Sequence, residues 1–144
     1  MTGGVRRLAV VWLSILCLTA CGGDTKTESP GYVPAEPPAC VTPDEVMAVY
    51  GLYIKGDYEA YANEMQQCDG KPEEYRRQMA WLYKQHAADK KRTDGELVTA
   101  KVGRITPCNN GFSADVFLNV TYANRDTEEI YLQFVYDGDR WRLR

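Results

Sequence analysis

One histidine, and cysteines at 40, 68 and 108 that lie far apart along the chain, leave this sequence without a recognised metal-ligand spacing. No metal and no cofactor are therefore expected. It also lacks a basic cluster, with 17 lysines and arginines against 20 acids and a formal net charge of -3. Affinity for nucleic acid comes mainly from neutralised phosphates, so no nucleic-acid partner is expected either. The longest run of one sign, Lys90-Lys91-Arg92, is better suited to the end of a helix, where cations complement the dipole. Nor is there an apolar run of the ~20 residues that a spanning helix needs, since Leu8 through Leu18 reaches about half of that.

That short run has its own meaning. Arg6-Arg7 precede it as a positive n-region, which together read as a secretory signal. Leu18-Thr19-Ala20-Cys21 then resembles the lipobox of bacterial lipoproteins. The resemblance implies that residues 1–20 are a signal peptide and that Cys21 carries a diacylglyceryl group and becomes the mature N-terminus. Two or more acyl chains hold a protein stably at a bilayer. A lipid-anchored protein of the bacterial envelope is expected, at the outer membrane rather than the inner, with its domain in the periplasm or at the cell surface. Loss of the signal leaves 124 residues with a net charge of -5. These suffice for one small domain and a tether. Residues 21–39, rich in Gly, Pro, Ser and Thr, are too poor in apolar side chains to order and form that tether. The folded domain is expected over 40–144.

The first half of the domain reads as three helices. Thr42-Pro43-Asp44-Glu45 combines a cap, a proline suited to the first turn and a capping box. Val46, Val49, Tyr50, Tyr53 and Ile54 follow at helical spacing, and Gly56 ends the helix. Asp57 caps a second, shorter helix with Tyr58, Tyr61, Ala62 and Met65 on one face, closed by Cys68-Asp69-Gly70. A third begins near Pro72, with Tyr75, Met79, Leu82, Tyr83 and His86 as its buried stripe.

From Glu96 the apolar period becomes two. Val98, Ala100 and Val102 alternate with polar residues and, after Asn109-Asn110-Gly111, so do Phe112, Ala114, Val116, Leu118, Val120 and Tyr122. Ile130, Leu132, Phe134 and Tyr136 repeat the pattern, and Trp141 and Leu143 close it. The apolar face moves from even to odd positions across Asp137-Gly138-Asp139, so residues paired in the last hairpin have an odd sum. A two-residue loop at Asp137-Gly138, pairing Phe134 with Trp141, meets that condition. The fold class is α+β: three N-terminal helices packed on a curved, antiparallel four-stranded sheet.

This order of elements, the Lys55-Gly56-Asp57-Tyr58 turn and the terminal Asp137-Gly138-Asp139-Arg140-Trp141-Arg142-Leu143 resemble the DUF4878-type lipoproteins of Bacteroidetes, members of the NTF2-like (cystatin-like) superfamily. The resemblance implies a cone-shaped domain and leaves activity open, because that fold hosts enzymes, binders and scaffolds alike.

Enzymes of the superfamily place an acid, a His or a Tyr inside the cone. Here the inward sheet positions are apolar or aromatic, Asp115 and Glu129 have outward parity, and Glu128 has inward parity at the rim. His86 has no inward carboxylate to orient it. The expected function is thus a non-catalytic binding or scaffolding domain on a lipid anchor. The alternative is a small-molecule binder or enzyme using a cone pocket lined by Tyr50, Tyr53, Tyr61, Tyr75, Tyr83 and His86. For a homodimer or an envelope protein partner, the candidate face is Tyr131, Gln133, Arg140, Arg142 and Arg144, outward on the last two strands. Cys40, Cys68 and Cys108 allow one disulfide in an oxidising compartment, with the pair left open.

Overall fold

Thr42 starts the first helix through two reciprocal bonds. Its Oγ1 accepts from the Glu45 N–H at 3.2 Å, and the Glu45 carboxylate accepts from the Thr42 N–H at 2.8 Å. The computed structural model describes residues 35–144. The expected signal segment, the expected lipid attachment at Cys21 and most of the expected tether fall on residues 1–34 and lie outside the described residues.

Helix α1 (Pro43–Lys55) buries Val46, Val49 and Tyr50. It ends where Gly56 turns left-handed (φ 81°), a conformation that a side chain would strain. Ile54, expected on the buried stripe, is instead 42% exposed. It sits ~80° around the helix from Val46, at the margin of the face. Helix α2 (Tyr58–Asn63) is capped by Asp57, whose carboxylate accepts from the Ala60 N–H at 3.1 Å. It stops short of Met65, which forms a parallel bridge with Leu143.

Helix α3 (Glu73–Asp94) packs Tyr75, Met79 and Tyr83 of its expected stripe against the core, but leaves Leu82 and His86 of that stripe outside. Ala80 is buried, Tyr75, Met79, Tyr83, Ala87 and Lys90 are half-buried, and Leu82 and His86 are exposed. The two alanines bring the helix close to its neighbours along that side, which rotates Leu82 and His86 outward.

Strands β1 (Leu97–Cys108), β2 (Ser113–Tyr122), β3 (Thr127–Tyr136) and β4 (Trp141–Leu143) form one antiparallel sheet in sequence order. The inward face of β2 is sealed, with Ala114, Val116, Leu118 and Val120 wholly buried against α1, α2 and Phe134 of β3. β1 departs from simple alternation. Register shifts at Leu97/Thr99 and Val102/Arg104 put Leu97, Ala100, Val102 and Ile105 toward the core and leave Val98 62% exposed. Gly103 lies in the second shift, where a Cβ would stand 2.5 Å from the Asn119 amide nitrogen.

The last hairpin keeps the odd sum but moves by one pair. Tyr136 faces Trp141 and Phe134 faces Leu143, so the expected Phe134–Trp141 pairing is corrected. The reason is Asp137. Its N–H donates to the Arg140 carbonyl at 3.1 Å and its carboxylate accepts from the Asp139 and Arg140 N–H groups, which makes Gly138 and Asp139 the two loop residues.

The N-terminal edge of the domain also lies earlier than Cys40. Pro37 packs on Gly111, the Trp141 indole N–H donates to the Ala39 carbonyl at 3.0 Å, and Val41 is buried.

Arg142 fastens the short strand. Only 8% exposed, its guanidinium donates to Asp69 at 2.6 Å and to the carbonyls of Asn63 and Met65 at 3.0 and 3.3 Å. The chain leaving α2 is thereby held beside β4 and covers that sheet edge. Arg142→Leu is expected to cost roughly 2–3 kcal/mol, the range for lost hydrogen bonds to a charged group, measured by urea unfolding. The Arg142 hydrogen bond holds the Asp69 carboxyl below its ordinary range, as the Arg140 and Asp139 N–H groups do for Asp137. Their stabilisation is present above the ordinary carboxylate pKa and disappears as pH falls through the lower folded values. Asp69→Asn should flatten part of this acid limb in a pH series of unfolding midpoints.

Candidate functional site

α1, α2 and α3 bring four of the five expected pocket tyrosines together, and they fill the space between themselves. Tyr53 is the hub, with ring centroids 5.4 Å from Tyr50, 5.5 Å from Tyr61 and 6.4 Å from Tyr83. Tyr61 and Tyr83 meet edge to face at 5.1 Å. Tyr58 joins them against Tyr53 at 5.7 Å. Tyr75 stands at the start of α3 under the Lys71 ammonium, 5.9 Å from its ring.

His86 meets this cluster from outside. Its Nδ1 lies 2.9 Å from the Tyr53 hydroxyl, so the expected place of His86 on the inner stripe is corrected to the surface. Burial pushes the phenol pKa of Tyr53 up to about 12 and raises those of Tyr50 and Tyr61 further.

At the end of the sheet where β1 begins and β2 finishes, a second cluster forms the rim. Lys90 on α3 donates to Asp94 at 2.9 Å and to Glu128 on β3 at 2.7 Å, and lies 5.0 Å over the Tyr122 ring. Tyr122 donates to the same Glu128 at 3.2 Å. The hydrogen bonds that Lys90 donates to the Glu128 and Asp94 carboxylates hold its pKa above its ordinary value. Beside this rim runs an open groove of about 350 Å³, bounded by Tyr53, Ile54, Tyr58, Leu97 and Tyr122. Sequence reasoning singled out neither Lys90 nor Tyr122 for this place. The signal was there, since Lys90 follows Tyr83 by seven residues on the same helical face.

The outward residues of β3 and β4 separate into two groups. Tyr131 is 53% exposed, donates to Asp115 at 2.8 Å and packs on Phe117, which in turn lies 4.1 Å from the Arg104 guanidinium. Gln133 donates to the same Asp115 and accepts from Arg144, both at 3.2 Å. A groove of about 320 Å³ lets Tyr131, Gln133 and Arg144 meet Tyr61 and Tyr83, so part of each expected site shares one border. Arg140 is drawn to Glu64 at 2.6 Å. Arg142, outward by position, is covered rather than presented on this face, because its guanidinium is buried inside the α2–β4 junction.

Cys40 is exposed, Cys68 buried and Cys108 half-buried with its Sγ 3.0 Å from the Ser113 hydroxyl. The three stand as separate thiols. Burial pushes the Cys68 thiol pKa up, which disfavours the nucleophilic thiolate.

The tyrosine cluster predicts how the domain responds to alkali. A phenol whose folded pKa is raised adds stability that is complete below its unfolded value of about 10 and is lost as pH climbs toward the folded value. Spectrophotometric titration should show Tyr50, Tyr53 and Tyr61 ionising in one steep step that coincides with loss of circular dichroism. Gradual ionisation of all tyrosines in a folded domain would contradict the packing.

No protein-family model and no curated protein matches the chain. Among solved structures, the chain is similar to a Campylobacter jejuni protein named for an NTF2-like transpeptidase, with a TM-score of 0.56 and 15% identity. The match covers 69% of this chain and 94% of that one. At this identity the likeness speaks for architecture alone: three helices over a curved antiparallel meander of four strands, the NTF2-like fold.

Proposed function

We propose that this protein is a lipid-anchored envelope protein of the DUF4878 type whose NTF2-like domain docks a protein partner through the outer face of its sheet. The observation that carries this reading is Tyr131, a large aromatic left more than half exposed yet fixed by Asp115 and Phe117. An aromatic anchor already held in place loses little freedom on binding, which is the character of a hot spot. Arg104, Gln133 and Arg144 surround it with donors. The filled tyrosine cluster weighs against the alternative of a deep cone pocket, since its rings contact one another. The anchor rests on Leu18-Thr19-Ala20-Cys21.

Two measurements test the two parts separately. Cys21→Ser should move the protein from the membrane fraction to the soluble fraction, and retention of the variant would refute the anchor. A photo-crosslinking amino acid at position 131 in living cells should give a discrete adduct that the same group at Lys84, on α3, does not give. Equal adducts at both positions, or none at 131, would refute the docking face.

A further inference from the structure

We propose that the rim groove between α1, α3 and the start of β1 is a carbohydrate subsite that takes a neutral hexopyranose ring. The inference is independent of the outer sheet face, from which this groove shares no lining residue.

Three properties of the groove point to that chemistry. The first is its charge. Lys55, Lys90, Lys91 and Glu96 line it, and Asp94 and Glu128, outside the lining, pair with Lys90 as Glu96 pairs with Lys91, so two of the three lining cations are already neutralised by ion pairs and only Lys55 adds an unpaired charge. The carbonyl ends of α1 and α3 also close on this region and add no positive field. Neither an anion nor a cation finds a strong net attraction there. A ligand that uses donors and acceptors in equal measure without a charge of its own does, and a sugar ring is such a ligand.

The second is the inventory of polar groups. The Tyr58 hydroxyl can both donate and accept, the Tyr122 hydroxyl, whose proton goes to Glu128, keeps lone pairs to accept, and the Lys91–Glu96 pair adds a donor and an acceptor 2.7 Å apart. Both members of that pair are well exposed, so the bond between them is weak and opens to an incoming hydroxyl at little cost. The third is the apolar surface left uncovered. Tyr58 and Leu97 are half-buried and Ile54 is more exposed still, which leaves a ring face and aliphatic carbon for the C–H face of a pyranose. At about 350 Å³ the groove matches the lower range of small-ligand sites, yet it is open along one side, as a residue within a longer glycan requires.

Tyr53 keeps the groove in shape before any ligand arrives. Its hydroxyl is tied to His86 Nδ1 at 2.9 Å, and its ring sets Tyr58 edge-on at 5.7 Å. Binding through one ring on an open surface is weak, with a dissociation constant on the order of 1 mM.

The test is an amide chemical-shift titration of the folded, acyl-free full chain carrying Cys21→Ser, using methyl β-glucoside, N-acetylglucosamine and cellobiose, with benzoate and choline as charged comparators. The expected result is saturable shifts at Lys55, Tyr58, Gly95 and Leu97 with at least one saccharide. Tyr58→Ala and Glu96→Gln should each weaken this binding about fivefold, the equivalent of one net hydrogen bond. Tyr131→Ala should leave it unchanged. Both groove residues lie at the surface, and an unaltered spectrum elsewhere confirms that the variants fold. The proposal is overturned by tighter binding of benzoate or choline than of every saccharide, by shifts mapping to the outer sheet face, or by no shift at tenfold the expected dissociation constant. Failure here leaves the crosslinking result at Tyr131 untouched, and the converse holds.

Discussion

The rest of this domain depends on the inward face of β2. It is paired on both sides, its pleat sends every second side chain toward the helices, and Ala114, Val116, Leu118 and Val120 reach complete burial there. Desolvating that row is the main favourable term available to so small a chain. α1 answers it with Val46, Val49 and Tyr50, and the tyrosines of α2 and α3 then fill the space beyond the aliphatic layer. Phenol rings suit that position because one end is apolar and the other tolerates water. The same rings that could have bordered a pocket therefore complete the core.

Much of this was legible in the residues, and what was not has identifiable causes. Caps are local, so Thr42, Gly56 and Asp57 announced α1 and α2 correctly from a few neighbours each. Strict alternation made β2 and β3 equally plain. β1 was read too simply because a bulge inverts parity without altering composition, and only Gly103 hints at it. On α3 the large side chains Leu82 and His86 outweighed Ala80 and Ala87, yet the helix turns those alanines inward beside Met79 and Tyr83. Arg142 shows the limit of parity itself. Its strand position is outward, and what buries it is a segment from α2 that no periodicity within β4 foretells.

The candidate sites divide along the same line. The outward placement of Tyr131 and Gln133 could be counted in advance because orientation on a regular strand follows from parity. Of the rim only Glu128 was placed by parity, because the rest is assembled from the ends of other elements, and its defining contact, Lys90 with Glu128, joins residues nearly forty positions apart. Ion pairs of this kind carry no sequence signature beyond the presence of opposite charges.

The chain enters the domain at Pro37 and Ala39, beside Gly111 and Trp141, and the rim of Leu97 and Tyr122 closes the opposite end of β1 and β2. Those ends stand roughly 30 Å apart along the strands. Tension applied at that entry would pull on the Ala39 carbonyl held by the Trp141 indole of the three-residue β4, which Arg142 ties to Asp69.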